Sequence, residues 1–377
     1  MKTVEKAPAA KLADPVEASI DEATRDMLRR AQELGIETIF DRAVKMKACN
    51  IGAQGTCCKN CGMGPCRLPL PKGGIEGEDD RKGLCGATAN TIAARNFIRM
   101  IAGGAAAHSD HGRCVAEVFL SAARKESHDY AIKDTTKLLA IAPYFDVATT
   151  VDVDGEPMDR DVDEIALEVA EKAIDEWGKS EGELRYLKRA PKPLYEKWKK
   201  KGVLPRNIDR EIVEIMHRTH IGVDQDYKNL MKQGTRAAIA DGWGGSMLAT
   251  DLQDVLFGTP FPVQSEANLG VMKADHVNIV IHGHEPVLSE MIVTVAQKPE
   301  MTAYAKSKGA QGIQLSGICC TANEILQRHG VPLCGTFLQQ ELAIITGACD
   351  AMVVDIQCIF QNVANVAKCF HTKLITT

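Results

Sequence analysis

HVNIVIHGHEPVLSEMIVTVAQK, residues 276–298, decides the fold. It opens with a short run rich in Val and Ile. From Pro286 onward the apolar residues fall at helical spacing. A strand followed at once by a helix is half of a βαβ unit. The pattern repeats downstream. GIQLSG (312–317) precedes TANEILQRHG, AMVVDI (351–356) precedes VANVAKC, and KLITT (373–377) starts another strand. Strands alternating with helices predict a parallel sheet, so residues 261–377 read as a Rossmann-like α/β domain. A domain seldom ends on a strand with no helix after it. The sheet is therefore expected to be incomplete at Thr377, and the chain to be part of something longer.

Upstream the texture is helical. Residues 1–18, rich in Ala, Pro, Lys and Glu, read as a flexible leader. Residues 19–260 read as an α-helical N-terminal domain carrying a cysteine loop at 49–86. SIDEATRDMLRRAQELG (19–35) has Ser19 as a cap and Gly35 as a stop, and TIFDRAVKM follows. Residues 88–125 read as one long helix or two, loosened at Gly103-Gly104. The small residues from Gly103 to Ala107 would admit a closely packed neighbour. From 131 to 250 few β-branched runs occur, which predicts an all-α region. The basic, Pro-punctuated stretch 178–206 reads as a solvated connector.

Size and composition set outer limits. With 377 residues, 45% hydrophobic and 25% charged, the chain is an ordinary globular protein of about two domains. A net charge of −5 gives no reason to expect nucleic acid or an anionic membrane surface. No run approaches the roughly 18 apolar residues of a membrane span. The N-terminus has no secretory pattern. Thirteen cysteines without an export signal point to a reducing, cytoplasmic setting. There, clustered cysteines bind metal or do redox chemistry, and an odd count suits disulfides poorly.

CNIGAQGTCCKNCGMGPCR opens the cysteine loop, and LCG closes it. Cys58, Cys61, Cys66 and Cys85 supply four thiolates, enough for one [4Fe–4S] cluster. A structural zinc site is the alternative. Cys57 adjoins Cys58, so the two side chains diverge. That leaves Cys49 and Cys57 as a pair. Either they are buried core cysteines, or a two-fold dimer brings two such pairs around one shared cluster. In the α/β region, His284, Cys319 with Cys320, and Cys358 each follow a predicted strand. Ligands of open parallel sheets bind beyond these strand ends. The pattern predicts a metal site with further ligands from elsewhere. Cys334, Cys349 and Cys369 have no such placement and read as core. His108, His111 and Cys114 fall at three-residue steps on one helix face. They could relay protons or form a solvated face.

Together the double cysteine and CGMGPCR, AAAHSDHGR, HGHEPVLSE, GICCT, DIQC and LITT resemble the anaerobic nickel–iron–sulfur carbon monoxide dehydrogenases. The resemblance covers essentially the whole chain. It implies a homodimer that oxidises carbon monoxide with water to carbon dioxide, two protons and two electrons. Cys58, Cys61, Cys66 and Cys85 match the ligands of a [4Fe–4S] relay, the B-cluster. Cys49 and Cys57 match the pair that, across the dimer, shares the D-cluster, [4Fe–4S] or [2Fe–2S]. His284, Cys320 and Cys358 match three ligands of the Ni–Fe–S C-cluster, with Cys319 beside it. His108 and His111 match the acid–base and proton-path histidines. A ferredoxin-like acceptor is implied, and acetyl-CoA synthase is a further candidate partner. The family continues past a segment like LITT, adding three cluster cysteines and a lysine that are not in these 377 residues. By itself the chain is therefore expected to be inactive. Cys114 interrupts the histidine row, and the gap from Cys66 to Cys85 is longer than the resemblance predicts. Two other readings stay open: a hybrid-cluster protein acting on hydroxylamine or nitric oxide, and a chain that only carries electrons.

Overall fold

A computed structural model describes residues 14–221 and 223–377. Most of the expected leader, residues 1–13, lies outside the described residues. Two compact units emerge. One joins residues 14–48 to Pro260–Thr377, and the other is Cys49–Thr259. The first helix, α1 (Glu22–Leu34), is capped by Asp21 and not by the expected Ser19. The Asp21 carboxylate accepts from the Thr24 amide at 2.8 Å, and Gly35 closes the helix at φ 66°. Its buried residues Leu28 and Ala31 share a core with Leu342, Ile344 and Met352. Residues 19–48 thus belong with the sheet, whereas the sequence reading places them in the helical domain. Val16 lies in the same core, so residues 14–18 are not part of a free leader. Helix α2 (Ile39–Lys45) starts at a capping box formed by Thr38 and Asp41.

The helical unit opens with the cysteine loop. It holds a short helix α3 (Asn50–Ala53) and a two-stranded antiparallel ladder, β1 (Cys57–Cys58) with β2 (Cys66–Arg67). Helix α4 (Ala89–Ala123) runs unbroken for 35 residues. The expected loosening at Gly103-Gly104 does not occur, and both glycines face open space. The unit continues with α5 (Thr135–Ile141), α6 (Val162–Gly178), α7 (Lys192–Lys201), α8 (Ile208–Arg218), α9 (Tyr227–Ala240) and α10 (Leu248–Phe257), of which α6, α8, α9 and α10 pack on α4. A π-helical segment, Asp241–Met247, joins α9 to α10. Ile98, Ile215 and Leu230 fill the contact among α4, α8 and α9. A Cβ on Gly234 would stand 2.6 Å from Ile98, so α9 approaches α4 closely only because glycine stands there.

Two expectations fail in this unit. Strands β3 (Thr150–Val153) and β4 (Glu156–Asp159) form an antiparallel hairpin inside the region read as all-α. Asp154-Gly155 turns it, with φ 54° and 88°, as tight hairpins require. The stretch 178–206 is only partly solvated. Leu184, Tyr186 and Leu187 are buried, and the Tyr186 hydroxyl donates to the buried Asp251 carboxylate.

In the α/β unit, the chain runs β5 (Val277–Gly283), α11 (Pro286–Ala296), α12 (Pro299–Ser307), β6 (Ile313–Ile318) and α13 (Cys319–His329). It continues through β7 (Leu333–Gly335), α14 (Gln340–Ile345), β8 (Cys349–Val354), α15 (Val363–Ala367) and β9 (Lys373–Thr376). The five strands are parallel in the order β7-β6-β5-β8-β9. Both faces are covered. Val280 joins the core with Ile344 and Met352, while its neighbour Ile281 joins Val293 and Ile325 on the other side. Strand β7, only three residues long, escapes the sequence reading. It carries Cys334, which is buried as expected, as is Cys349, but Cys369 is exposed. The chain builds outward from β5 to β7, then returns to lay β8 on the other side of β5. The strand order therefore reverses between β5 and β8, where open sheets bind ligands.

Candidate metal centres

Cys58, Cys61, Cys66 and Cys85 line one cavity of the helical unit. The ladder of β1 and β2 presents Cys58 and Cys66 as paired residues, and Leu68, Ala87 and Ile92 pack behind them. The Leu84 amide lies 3.4 Å from Cys66 Sγ. The Ala87 amide, and after it the Arg95 guanidinium, hold the Cys85 thiol below its ordinary range against the opposing effect of burial. Two buried donors on the cavity wall, Asn60 Nδ2 and Arg95 Nε, have no hydrogen-bond partner among the described residues. Orphaned donors facing four thiols fit a sulfide-containing cluster, whose sulfurs would accept from them. Zinc needs ligands converging to about 2.3 Å from one ion. Among the described residues, no three His, Cys, Asp or Glu side chains converge in that way.

Cys57 does not line this cavity. Successive strand residues face opposite ways, so Cys57 points away from Cys58 and stays half-exposed. Cys49 is exposed. The Gly52 amide, 3.4 Å from its Sγ, holds the Cys49 thiol below its usual range.

At the sheet's switch point the second group assembles. His284 Nε2 lies 3.1 Å from Cys320 Sγ. Burial, then the thiols of Cys358 and Cys320, push the Cys319 thiol up to about 12. Burial and Cys358 likewise raise Cys320. Residues after β5, β6 and β8 thus share one neighbourhood, with the imidazole and thiol donors that nickel and iron accept. The backbone there is strained. Cys319, Gln357 and Cys358 take φ 67°, 65° and 59°, unfavourable for side-chain-bearing residues.

Two polar residues, unseen in the sequence reading, fix this arrangement: Asp355, which is half-buried, and Gln340, which is buried. Asp355 accepts from the His284 amide at 2.7 Å, the Glu285 amide at 3.1 Å and the Thr321 hydroxyl at 3.4 Å. It ties the three crossovers together, and burial outweighs its amide donors to raise its carboxyl above the usual range. It also fills the space beside Gly283, where a Cβ would stand 1.5 Å from its Oδ1. Gln340 donates to the Cys358 carbonyl at 2.9 Å and accepts from the Phe360 amide at 2.8 Å, bracketing the Cys358 loop.

His108 and His111 sit half-buried on α4. They do not form a bare solvated face. His108 Nδ1 lies 2.7 Å from Asp241 Oδ1 and 3.3 Å from Ser246 Oγ. The π-helical segment supplies both partners, and such segments recur at functional sites. Its Gly245 lies against His108, where a Cβ would stand 3.1 Å from the His108 Cβ. The Asp241 hydrogen bond raises His108 above the usual histidine value, against partial burial. His111 Nε2 lies 3.3 Å from Gln253 Nε2. Asp241 leaves no spacing signal in the sequence, because it reaches α4 from a distant helix end.

The model of the prismane/CO dehydrogenase family matches residues 56–377. The chain belongs to the prismane/CO dehydrogenase family. Carbon monoxide dehydrogenase 1 of Methanosarcina mazei is 51% identical over 96% of the chain and 56% of that relative. The beta subunit of carbon monoxide dehydrogenase/acetyl-CoA synthase from Moorella thermoacetica is 44% identical over 95% of the chain and 52% of its own length. A Ni-free crystal structure of carbon monoxide dehydrogenase from Thermococcus sp. AM4 superposes with TM-score 0.88 at 49% identity. It covers 96% of this chain and 56% of that one. The chain thus spans about half the length of the relatives it matches. Among the described residues, no helix is long and apolar enough to cross a membrane.

Proposed function

We propose that this family member takes part in reversible oxidation of carbon monoxide by water to carbon dioxide, two protons and two electrons. The observation that carries the reading is the convergence of His284, Cys319, Cys320 and Cys358 at the sheet's switch point. His284, Cys320 and Cys358 would hold part of a Ni–Fe–S cluster, with Cys319 beside them. When bound, that cluster supplies the Lewis acidity that activates carbon monoxide and water, and it accepts the electrons. Asp355 and Gln340 keep the ligand backbones in their strained form. His108, held at Nδ1 by Asp241, would take up a proton, and its raised proton affinity favours capture. His111 is the next step along α4.

Cys58, Cys61, Cys66 and Cys85 would hold a [4Fe–4S] relay. Cys49 and Cys57, with the same pair of a second copy, would hold a shared cluster, [4Fe–4S] or [2Fe–2S], on a homodimer axis. Electrons would leave to a ferredoxin-like acceptor in a reducing cytoplasm. The name of the Moorella thermoacetica relative makes acetyl-CoA synthase a candidate partner.

Anaerobic metal analysis combined with carbon monoxide-dependent viologen reduction tests the reading. The chain alone is expected to bind iron and show little or no activity. Activity and nickel are expected together once the three further cysteines and the lysine of the family are supplied. Carbon monoxide oxidation by nickel-free protein would sink this reading. Hydroxylamine reduction without carbon monoxide oxidation would favour the hybrid-cluster alternative.

A further inference from the structure

The cavity of Cys58, Cys61, Cys66 and Cys85 has a fifth wall residue of a different kind. Arg95, on the first turns of α4, is among the largest fully buried side chains, with 1% exposure. One of its nitrogens, Nη2, donates to the Asp224 carbonyl at 3.0 Å. Its Nε has no hydrogen-bond partner among the described residues, and neither has Asn60 Nδ2 on the same wall. A buried donor without an acceptor costs about 1–3 kcal/mol, and a charged one more. No core needs a guanidinium there, since an apolar side chain of similar volume would pack without that cost. The unused donor and the charge both face the space that the four thiols surround.

We propose that Arg95, assisted by Asn60, raises the reduction potential of the cluster held by these four cysteines, a role that rests on the [4Fe–4S] reading above. Reduction adds one negative charge to the cluster. A fixed positive charge that is itself buried stabilises that charge with less screening than a surface charge would. Hydrogen bonds to the sulfurs act in the same direction. Arg95 supplies both effects, whereas Asn60 supplies only the hydrogen bond. Arg95 is thus a positioning and tuning residue, which does not itself bind iron. The rival role is purely structural: its bond to Asp224 would pin that loop to α4 and leave the cluster's electronics unaffected.

A potentiometric titration followed by electron paramagnetic resonance separates the two. The signal to follow is the one that Cys66→Ser abolishes in the anaerobically loaded chain. With iron content unchanged, Arg95→Gln is expected to shift the midpoint to more negative potential. Arg95→Lys, which keeps the charge, is expected to restore most of the shift. Asn60→Ala is expected to give a smaller negative shift. An Arg95→Gln midpoint equal to that of the unaltered chain, at equal iron, overturns the proposal. If Arg95→Gln does not hold iron, the unaltered chain carries the test. With ¹⁵N-labelled arginine, pulsed resonance of the reduced cluster should show coupling to one guanidinium nitrogen. Absence of that coupling overturns the proposal as well. A different result, iron and signal unchanged in Cys66→Ser, overturns the four-cysteine reading itself.

Discussion

The two candidate centres are encoded in opposite ways. In the helical unit, Cys58, Cys61, Cys66 and Cys85 come from one loop, and a two-residue ladder pairs Cys58 with Cys66. In the α/β unit, His284, Cys320 and Cys358 come from three crossovers and meet only because the strand order reverses beside β5. The loop site owes its shape to local chain chemistry. The sheet site owes its shape to topology and to one carboxylate, Asp355, that bonds across the crossovers. A site of the first kind should be insensitive to distant changes. A site of the second kind should fail when its tie is cut.

The sharpest way to break this contrast is Gly283→Ala. The new Cβ would overlap the Asp355 carboxylate at a backbone φ of 147° that alanine rarely takes. Strain costs about 1–3 kcal/mol, and each amide stripped of its acceptor about 1–3 more. A loss of about 3 kcal/mol or more is expected in denaturant titration, with iron at the loop site retained. If loop-site iron is lost in parallel, the two centres are not independent.

Gly234→Ala is the matching change in the helical unit. Its clash with Ile98 should cost about 1–3 kcal/mol, the usual penalty of overpacking. Circular dichroism of the helical transition reads it. Gly103→Ala should do the reverse. Gly103 faces open space on α4, so alanine should stabilise the isolated chain by about 0.5–1 kcal/mol. Destabilisation at higher protein concentration would show that another copy packs on this surface.

The smallest effect concerns His108. Its value is raised in the folded chain, so the Asp241 pair contributes stability fully below the unfolded histidine value near about 6.5. That contribution fades as pH rises through the raised value. Asp241→Asn should lower the His108 titration measured by NMR. It should also narrow the stability gap to the unaltered chain as pH climbs. An unmoved titration would show that Asp241 does not tune this histidine.

Legibility followed the same division. The four-cysteine spacing and the divergence of Cys57 from Cys58 could be read because neighbours in sequence are neighbours in space. The alternation of strand and helix revealed the parallel sheet, and the strand ends pointed to His284, Cys320 and Cys358. What escaped was whatever acts across the fold. Asp355 and Gln340 look like ordinary residues of a strand end and a helix start. Arg95 and Asn60 look like surface residues, and burial alone makes them informative. Leu28 gives no hint that α1 packs beside the sheet. The β3–β4 hairpin was missed for another reason: its Asp154-Gly155 signal is local, but four-residue strands carry too little periodicity to register.

The tie between Gly283 and Asp355 has a consequence for how such chains can diverge. The carboxylate occupies the volume that any side chain at 283 would need. Neither position can drift alone: enlarging 283 requires shrinking 355, and the first step of either order leaves buried amides unpaired. Among descendants of one ancestor, the two positions should therefore change in the same lineage or stay as they are. A family alignment should record them as a correlated pair even where the surrounding loops have been rewritten.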